Sequence, residues 1–119
     1  MNILIVDDSK FMRAVLRVML TDMGFWDIFE ATNGWEAIRK TYMTSPDMIF
    51  MNLVMPEMDG YEASRQILES FNDVKIVIVT SDTYSEVEKN IEGINIYDFL
   101  SLPIDQEKLR MIMIANEEV

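Results

Sequence analysis

The sequence predicts a doubly wound α/β domain, in which a five-stranded parallel sheet lies between two layers of helices. Short apolar runs alternate five times with amphipathic helical stretches along the chain, as they do in repeated strand–helix units. The apolar runs lack the alternating polar residues of a half-exposed strand, which indicates burial on both faces. A chain of 119 residues is long enough for one such domain, residues 1–119, and too short for two.

Each element is placed from its own local signals. Apolar runs rich in β-branched residues predict the strands, Ser9 is a candidate helix cap, and Gly24 is a natural helix stop. Strands are predicted at residues 3–6, 27–31, 48–53, 75–80 and 97–100. Helices are predicted between Ser9 and Gly24 and at residues 35–44, 61–70, 83–92 and 105–116.

The composition excludes several classes of function. The chain has no histidine and no cysteine, which rules out imidazole bases, disulfides and thiolate metal sites. Its 21 acidic and 10 basic residues give a net charge of −11 without a basic cluster, so nucleic-acid binding is not expected. No apolar stretch is long enough to span a membrane and no signal peptide is visible, so we expect a cytoplasmic protein.

Polar side chains follow the predicted strands at the edge where ligands bind to open α/β sheets. Two adjacent carboxylates end the first strand and an amide ends the third, a set of oxygen ligands that suits Mg²⁺. The residues at these strand ends are Asp7 and Asp8, Asn52, Thr80 and Ser81, and Leu102 and Pro103. An unrelated Mg²⁺-dependent hydrolase could use the same acidic pair, but it would lack a carboxylate on the third strand and any histidine.

Five segments spread along nearly the whole chain match the pattern of one known family: Asp7-Asp8-Ser9, residues 31–37, Met55-Pro56-Glu57-Met58-Asp59-Gly60, Val79-Thr80-Ser81, and residues 98–101 with Pro103. Together they resemble the response-regulator receiver family. The resemblance implies a flavodoxin-like three-layer sandwich with strand order 2-1-3-4-5, which acts in two-component or phosphorelay signalling and is not itself an enzyme. It also implies phosphorylation of an aspartate at the end of the third strand, with Mg²⁺ bound beside it.

Two residues depart from the family pattern at the site itself. Asn52 stands at the phosphoacceptor position, and its amide oxygen is too poor a nucleophile to form an acyl phosphate. Leu102 stands where the family has a lysine, which would be costly to bury without a charged partner. In the family, three carboxylates and one ammonium group give the site a formal charge of −2. Here Asp7 and Asp8 alone give the same formal charge. We therefore expect weak Mg²⁺ binding through Asp7, Asp8 and Asn52.

The resemblance also implies a switch formed by a hydroxyl and an aromatic residue, at Thr80 and Phe99. Without a phosphate nothing drives this switch, so we expect Thr80 to hydrogen-bond to Asn52 and Phe99 to belong to the core. Asp82 would repel an incoming phosphoryl group. Ile96 stands where the family has a small residue, and it is expected to alter the packing of the fourth helix.

These features favour a degenerate receiver, or pseudo-receiver, that signals through protein contacts without phosphorylation. By resemblance its partner is a histidine kinase, an output domain or another signalling protein, bound on the face formed by helix 4, strand 5 and helix 5. Candidate contacts on that face are Tyr84, Glu88, Tyr97, Lys108 and Met111. The same face or the edge strand could support a homodimer. The alternative is a working phosphoacceptor protein that carries an introduced aspartate-to-asparagine change at position 52.

Overall fold

The computed structural model describes residues 1–116, and its architecture confirms the predicted doubly wound fold. All five strands are parallel, and their order across the sheet is β2-β1-β3-β4-β5. The strands are β1 (Ile3–Val6), β2 (Ile28–Ala31), β3 (Met48–Asn52), β4 (Lys75–Thr80) and β5 (Asp98–Ser101). The helices are α1 (Lys10–Asp22), α2 (Gly34–Thr44), α3 (Gly60–Ser70), α4 (Tyr84–Glu88) and α5 (Gln106–Asn116).

The sheet divides the interior into two apolar cores, one on each face. Successive strand residues point to opposite faces, so Ile76 and Ile78 of β4 pack in one core and Val77 and Val79 in the other. Helices α2, α3 and α4 contribute to the first core, and α1 and α5 contribute to the second. The apolar runs in the sequence are therefore explained by burial on both faces.

A polar clasp joins β1 and β3 at the amino ends of the strands. The Asp47 carboxylate accepts a hydrogen bond from the backbone N–H of Asn2 at 2.8 Å. The Asp47 N–H donates to the Asn2 carbonyl oxygen, also at 2.8 Å, and the Asp47 carbonyl accepts from the N–H of Lys75. This clasp fixes three neighbouring strands relative to one another at the edge opposite the polar strand ends.

Side-chain caps begin the helices that follow β1, β2, β3 and β4. The predicted cap Ser9 is confirmed, since its hydroxyl accepts a hydrogen bond from the N–H of Met12 at 3.2 Å. Asn33, Asp59 and Thr83 accept equivalent bonds at the starts of α2, α3 and α4. Each cap satisfies a backbone donor that the helix leaves free, so each helix begins directly after the polar edge of the sheet.

The fourth helix is shorter than the sequence prediction of residues 83–92. It ends at Glu88, and Val87 is its only buried residue. The next apolar residue, Ile91, is only half-buried against the first core, so little burial supports further turns. The chain then turns at Gly93, whose φ of +81° lies outside the helical range. β5 follows at Asp98, one residue later than predicted.

No helix within residues 1–116 is both long and apolar enough to cross a membrane.

Candidate functional site

The acidic pair and Asn52 meet at the carboxyl edge of the sheet, as the sequence predicts. Asp7 is buried, with 7% of its surface exposed, whereas Asp8 is open to solvent. The Asn52 side-chain nitrogen lies 3.4 Å from Oδ1 of Asp7 and 3.5 Å from Oδ1 of Asp8. The same nitrogen donates to the Val54 carbonyl oxygen at 3.1 Å. One neutral amide therefore contacts both carboxylates.

The orientation of the Asn52 amide determines what the site can bind. Its N–H group points toward the two carboxylates, and a donor in that position cannot be a metal ligand. A half-turn of the amide would present Oδ1 beside the carboxylates and complete a set of three oxygen ligands, which suits Mg²⁺ together with bound waters. The hydrogen bonds to Asp7 and Asp8 are long, so the main bond that this rotation breaks is the one of 3.1 Å to the Val54 carbonyl oxygen.

Asp7 is the buried carboxylate of the site. Burial raises the pKa of the Asp7 carboxyl group above its ordinary value. A hydrogen bond from the Ser9 N–H, at 2.8 Å, opposes this rise in pKa, while the negative charge of Asp8 adds to it. A positive ion at the pair would remove the repulsion between the two carboxylates. The site therefore favours a cation electrostatically.

Arg13 holds the backbone of the acidic pair in place, a contact that was not predicted from the sequence. Its Nη1 donates to the backbone carbonyl oxygen of Asp7 at 2.8 Å. Its Nε binds one carboxylate oxygen of Glu30 at 2.7 Å, and Nε of Arg17 binds the other at the same distance. Arg13 and Arg17 are separated by one helical turn, which is the only signal in the sequence that could have suggested a shared partner.

Gly60 allows the loop after β3 to pack directly on the site. A Cβ atom at this position would lie 2.2 Å from the Asn52 carbonyl oxygen and 2.9 Å from the Leu53 Cα atom. The Gly60 N–H donates to the Leu53 carbonyl at 2.9 Å. Only glycine permits such an approach, which explains the glycine in the Met55–Gly60 segment and fixes the backbone that carries Asn52.

The predicted hydrogen bond from Thr80 to Asn52 is not formed. Thr80 is buried at the end of β4, and its hydroxyl oxygen accepts a hydrogen bond from the N–H of Asp82 at 3.1 Å. A strand-ending threonine commonly satisfies a nearby backbone donor in this way. The prediction is wrong because the Asn52 amide nitrogen is directed toward Asp7, Asp8 and the Val54 carbonyl, while the Thr80 hydroxyl accepts from a neighbouring backbone N–H.

Phe99 and Leu102 lie on different sides of β5. Phe99 is half-buried against the first core, where its ring makes an edge-on contact with Tyr84 at a centroid distance of 5.6 Å. Nζ of Lys108 lies 5.8 Å from the centre of the Phe99 ring. Leu102 is also half-buried, but it packs against the second core. The expected core position of Phe99 is therefore only partly attained.

Within residues 1–116, no group of three or more acidic residues is arranged to hold a metal ion. The acidic pair supplies two carboxylates, and Asn52 is the third residue within reach of both. The donor set fits a hard divalent cation that retains several waters.

The chain is similar to known signalling proteins both in sequence and in structure. Over 80 residues the chain is 39% identical to the chemotaxis protein CheY of Thermotoga maritima, a match that covers 67% of each protein. It also resembles the receiver domain of a sensor histidine kinase from Pseudomonas aeruginosa, with a TM-score of 0.84 and 27% identity over 94% of this chain and 93% of that one. That structure has a magnesium ion coordinated in its active-site cleft. The chain is thus a two-component signalling domain.

The family follows from a match that spans almost the whole chain. Residues 3–114 match the response regulator receiver domain, and the chain belongs to this family. A further relative is protein-glutamate methylesterase/protein-glutamine glutaminase 3 of Hahella chejuensis, which is 47% identical over 81 residues. This match covers 68% of the chain but only 23% of the enzyme. Receiver domains are mostly signalling modules without an enzymatic activity of their own, and only the receiver domain is matched here.

Proposed function

We propose that this protein is a degenerate receiver of a cytoplasmic two-component or phosphorelay system, which acts by protein contact without being phosphorylated. The observation that carries this proposal is the Asn52 amide, whose nitrogen donates toward both Asp7 and Asp8. In the family a nucleophilic carboxylate occupies this strand end. The amide supplies a donor instead, and it has no lone pair basic enough to form a stable acyl phosphate.

The position of Leu102 supports the same proposal. A lysine at this position would require a negatively charged partner, and a neutral Asn52 does not provide one. The leucine side chain packs instead on the second core. Asn52 and Leu102 are therefore electrostatically matched, whereas a single introduced substitution at position 52 would have left the lysine in place.

The test restores the nucleophile. Asn52→Asp is incubated with a small phosphodonor and Mg²⁺, and its intact mass is measured beside that of Asn52→Asp with Leu102→Lys. We expect no phosphoryl group on the unmodified chain or on the single variant. A mass gain of one phosphoryl group on the single variant would show that the chain is a working receiver with an altered residue at position 52. The retained Asp7 and Asp8 would also be consistent with that result.

Weak Mg²⁺ binding at Asp7, Asp8 and Asn52 forms a second part of the proposal. The amide must turn its oxygen toward the ion, so the affinity should be lower than that of a site with three carboxylates. Calorimetric titration at millimolar Mg²⁺ should give a signal that Asp7→Asn abolishes. The absence of any Mg²⁺-dependent heat would contradict this part of the proposal alone.

The protein partner is proposed to bind the surface formed by α4, β5 and α5. Tyr84 and Tyr97 are exposed there, and Met111 is 67% exposed on α5. Lys108 forms a 3.7 Å ion pair with Asp98 beside them. Exposed aromatic and methionine side chains beside charges are typical of interaction surfaces. A kinase, an output domain or a second copy of the chain would each fit this description.

A further inference from the structure

The sheet ends at β2, whose neighbour is β1. In a parallel ladder, each residue directs its N–H and its C=O to the same side, and successive residues alternate between sides. The N–H of Asp7 donates to the Ala31 carbonyl at 3.1 Å, so the odd-numbered residues of β2 face β1. Ile28 and Glu30 therefore direct their backbone groups outward, to the side where a further strand would pair.

Basic side chains from the two flanking helices occupy both outward carbonyl groups. Nη2 of Arg17, on α1, donates to the Ile28 carbonyl oxygen at 3.1 Å. Nζ of Lys40, on α2, donates to the Glu30 carbonyl oxygen at the same distance. Helices α1 and α2 lie on opposite faces of the sheet, so the β2 edge is covered from both sides.

The outward N–H groups are only partly occupied. The Ile28 N–H donates to the Trp26 carbonyl oxygen at 3.0 Å, in a three-residue turn at the start of the strand. Within residues 1–116, the Glu30 N–H is then the one outward group of β2 that remains open. An added strand would find a single donor along this edge, and its own N–H groups would find both acceptors already bonded.

Lys40 is directed to the strand although a carboxylate stands one turn earlier on its helix. Glu36 and Lys40 have the spacing of a favourable helical ion pair. The Glu36 carboxylate instead accepts from the Thr32 N–H at 2.6 Å and pairs with Arg39 at 3.5 Å. The Lys40 ammonium group therefore bonds to the Glu30 carbonyl. On the other face, Nε of Arg17 is held by the Glu30 carboxylate at 2.7 Å.

The side chains at this edge would favour association if its backbone groups were free. Trp26 is 72% exposed just before β2, and Phe29 is 36% exposed within it. Unpaired backbone groups beside exposed apolar side chains are the feature through which sheets add strands from other molecules. The contacts of Arg17 and Lys40 thus lie where strand addition would otherwise begin.

We propose that Arg17 and Lys40 close the β2 edge to strand addition, and that two copies of the chain pair through β2 when these contacts are lost. The two strands would run antiparallel about a two-fold axis, and each would offer its outward carbonyls to the N–H groups of the other. The proposed function does not use this edge, because the surface formed by α4, β5 and α5 lies at the opposite end of the sheet.

Net charge and backbone pairing predict opposite results. Each chain carries a net charge of −11, which opposes the association of any two copies. Loss of Arg17 or Lys40 makes the chain more acidic, so repulsion alone predicts weaker association of the variants. Release of the outward carbonyls predicts stronger association. The sign of the change therefore distinguishes the two effects.

The first test compares two neighbouring residues of α2 by sedimentation velocity over a series of protein concentrations. Lys40→Ala frees the Glu30 carbonyl and leaves the ion pair between Arg17 and Glu30 intact. Arg39→Ala removes the same charge from a side chain that is 68% exposed and not bonded to β2. We expect Lys40→Ala to self-associate about tenfold more tightly than the parent, and Arg39→Ala to associate no more tightly than the parent.

A double variant opens both carbonyls. Arg17→Ala with Lys40→Ala should associate more tightly than Lys40→Ala alone. Arg39→Ala with Arg65→Ala removes two charges as well and should sediment like the parent. Thermal unfolding shows whether each variant is folded, and Lys40→Ala alone tests the proposal if loss of the Arg17 ion pair unfolds the double variant.

Amide hydrogen exchange locates the contact between copies. In associated Lys40→Ala protein, the Glu30 N–H should exchange more slowly than in the parent, because the second strand supplies its acceptor. Addition of Phe29→Lys places like charges on the two paired strands, so it should restore the sedimentation of the parent.

Three outcomes would overturn the proposal. Lys40→Ala protein that sediments like Arg39→Ala would show that the Lys40 contact does not close the edge. Association without slower exchange at the Glu30 N–H would place the contact elsewhere. A parent protein that is itself dimeric, with exchange at the Glu30 N–H slowed by dimerisation, would show that the edge is already open.

Discussion

The Asn52 amide shields two carboxylates from each other without supplying a charge. Its nitrogen lies within 3.5 Å of an oxygen of both Asp7 and Asp8. An amide donor stabilises a carboxylate less than an ammonium or a metal ion does. The repulsion between the two carboxylates is therefore only partly offset. The energetic penalty of ionisation falls mainly on Asp7, the buried member of the pair.

Asn52→Asp should destabilise the fold when no cation is present. The new carboxylate would face Asp7 and Asp8, and Leu102 supplies no positive charge to offset the repulsion. We therefore expect the free energy of unfolding to fall by about 1–2 kcal/mol at pH 7 in EDTA. Mg²⁺ should reverse the loss, which thermal unfolding with and without the ion would measure. Asn52→Ser, which is neutral, serves as the control. An Asn52→Asp protein as stable as the parent in EDTA would refute the argument.

Asp7→Asn should stabilise the protein at neutral pH but not in acid. The pKa of Asp7 is raised in the folded state, chiefly by burial. A raised carboxyl pKa favours the folded state at low pH, and that contribution is lost as the pH rises through the folded-state pKa. We expect the free energy of unfolding of the variant to exceed that of the parent by about 1 kcal/mol at pH 7. Urea unfolding should show the gain vanish below the ordinary pKa of 3.8. A gain independent of pH would indicate another cause.

Among the elements, α1 and β2 are held together by charge as well as by apolar packing. Glu30 on β2 binds both Arg13 and Arg17 of α1 at 2.7 Å. Burial opposes ionisation, but the N–H donors of Arg17 and Arg13 lower the pKa of Glu30 overall. The side chain of Arg13 is only 13% exposed. Loss of Glu30 would therefore leave a largely buried guanidinium without its partner.

Glu30→Gln is expected to cost about 1–3 kcal/mol of folding free energy at pH 7. A lowered carboxyl pKa stabilises the fold above the ordinary value of 4.5, and the contribution disappears as the pH falls through the folded-state pKa. The difference between variant and parent should therefore shrink in acid. Urea unfolding across this pH range measures it. Glu62→Gln, which breaks an exposed pair with Arg65, should cost far less, and equal costs would count against the argument.

Gly60→Ala tests the contact between the start of α3 and the end of β3. A Cβ atom 2.2 Å from the Asn52 carbonyl oxygen forces the backbone to move. We expect the free energy of unfolding, measured with a chemical denaturant, to fall by about 2–4 kcal/mol. The amide resonances of Asn52 and Leu53 should also shift. Glu69→Ala, an exposed substitution in the same helix, is the control. A Gly60→Ala protein with the stability of the parent would show that the loop can yield.

The strands and most helix boundaries could be predicted from the sequence because each has a strong local signal. β1 and β4 match their predicted ranges, and α2, α3 and α5 differ from theirs by one residue at the start. The extent of α4 could not be predicted, since it depends on how little of the helix the sheet buries around Val87.

The candidate site was predictable to the extent that strand ends converge on one edge. The meeting of Asp7, Asp8 and Asn52 follows from topology alone. The direction of the Asn52 amide and the hydrogen-bond partner of the Thr80 hydroxyl depend on side-chain packing between distant segments. No sequence pattern specifies those contacts.

For the molecule as a whole, the net charge of −11 opposes compaction. Added NaCl should raise the melting temperature, because ions screen repulsion between exposed acids more than they weaken the part-buried Glu30 pairs. We expect a rise of a few degrees between about 0.01 M and 0.3 M salt. A chloride series with K⁺ in place of Na⁺ should behave identically. A melting temperature that falls with salt would mean that attractive ion pairs dominate.

The clasp between Asn2 and Asp47 has a consequence for strand alignment. In a strand that is apolar on both faces, a slip of one residue places one apolar side chain where another belongs, so the apolar pattern alone does not fix the alignment and the shapes of the packed side chains must do so. β1 and β3 are such strands. The Asp47 bonds to Asn2, both at 2.8 Å, are polar and cannot form after a slip. The alignment that brings Asp7 beside Asn52 is therefore also fixed at the far end of the strands, away from the residues that use it.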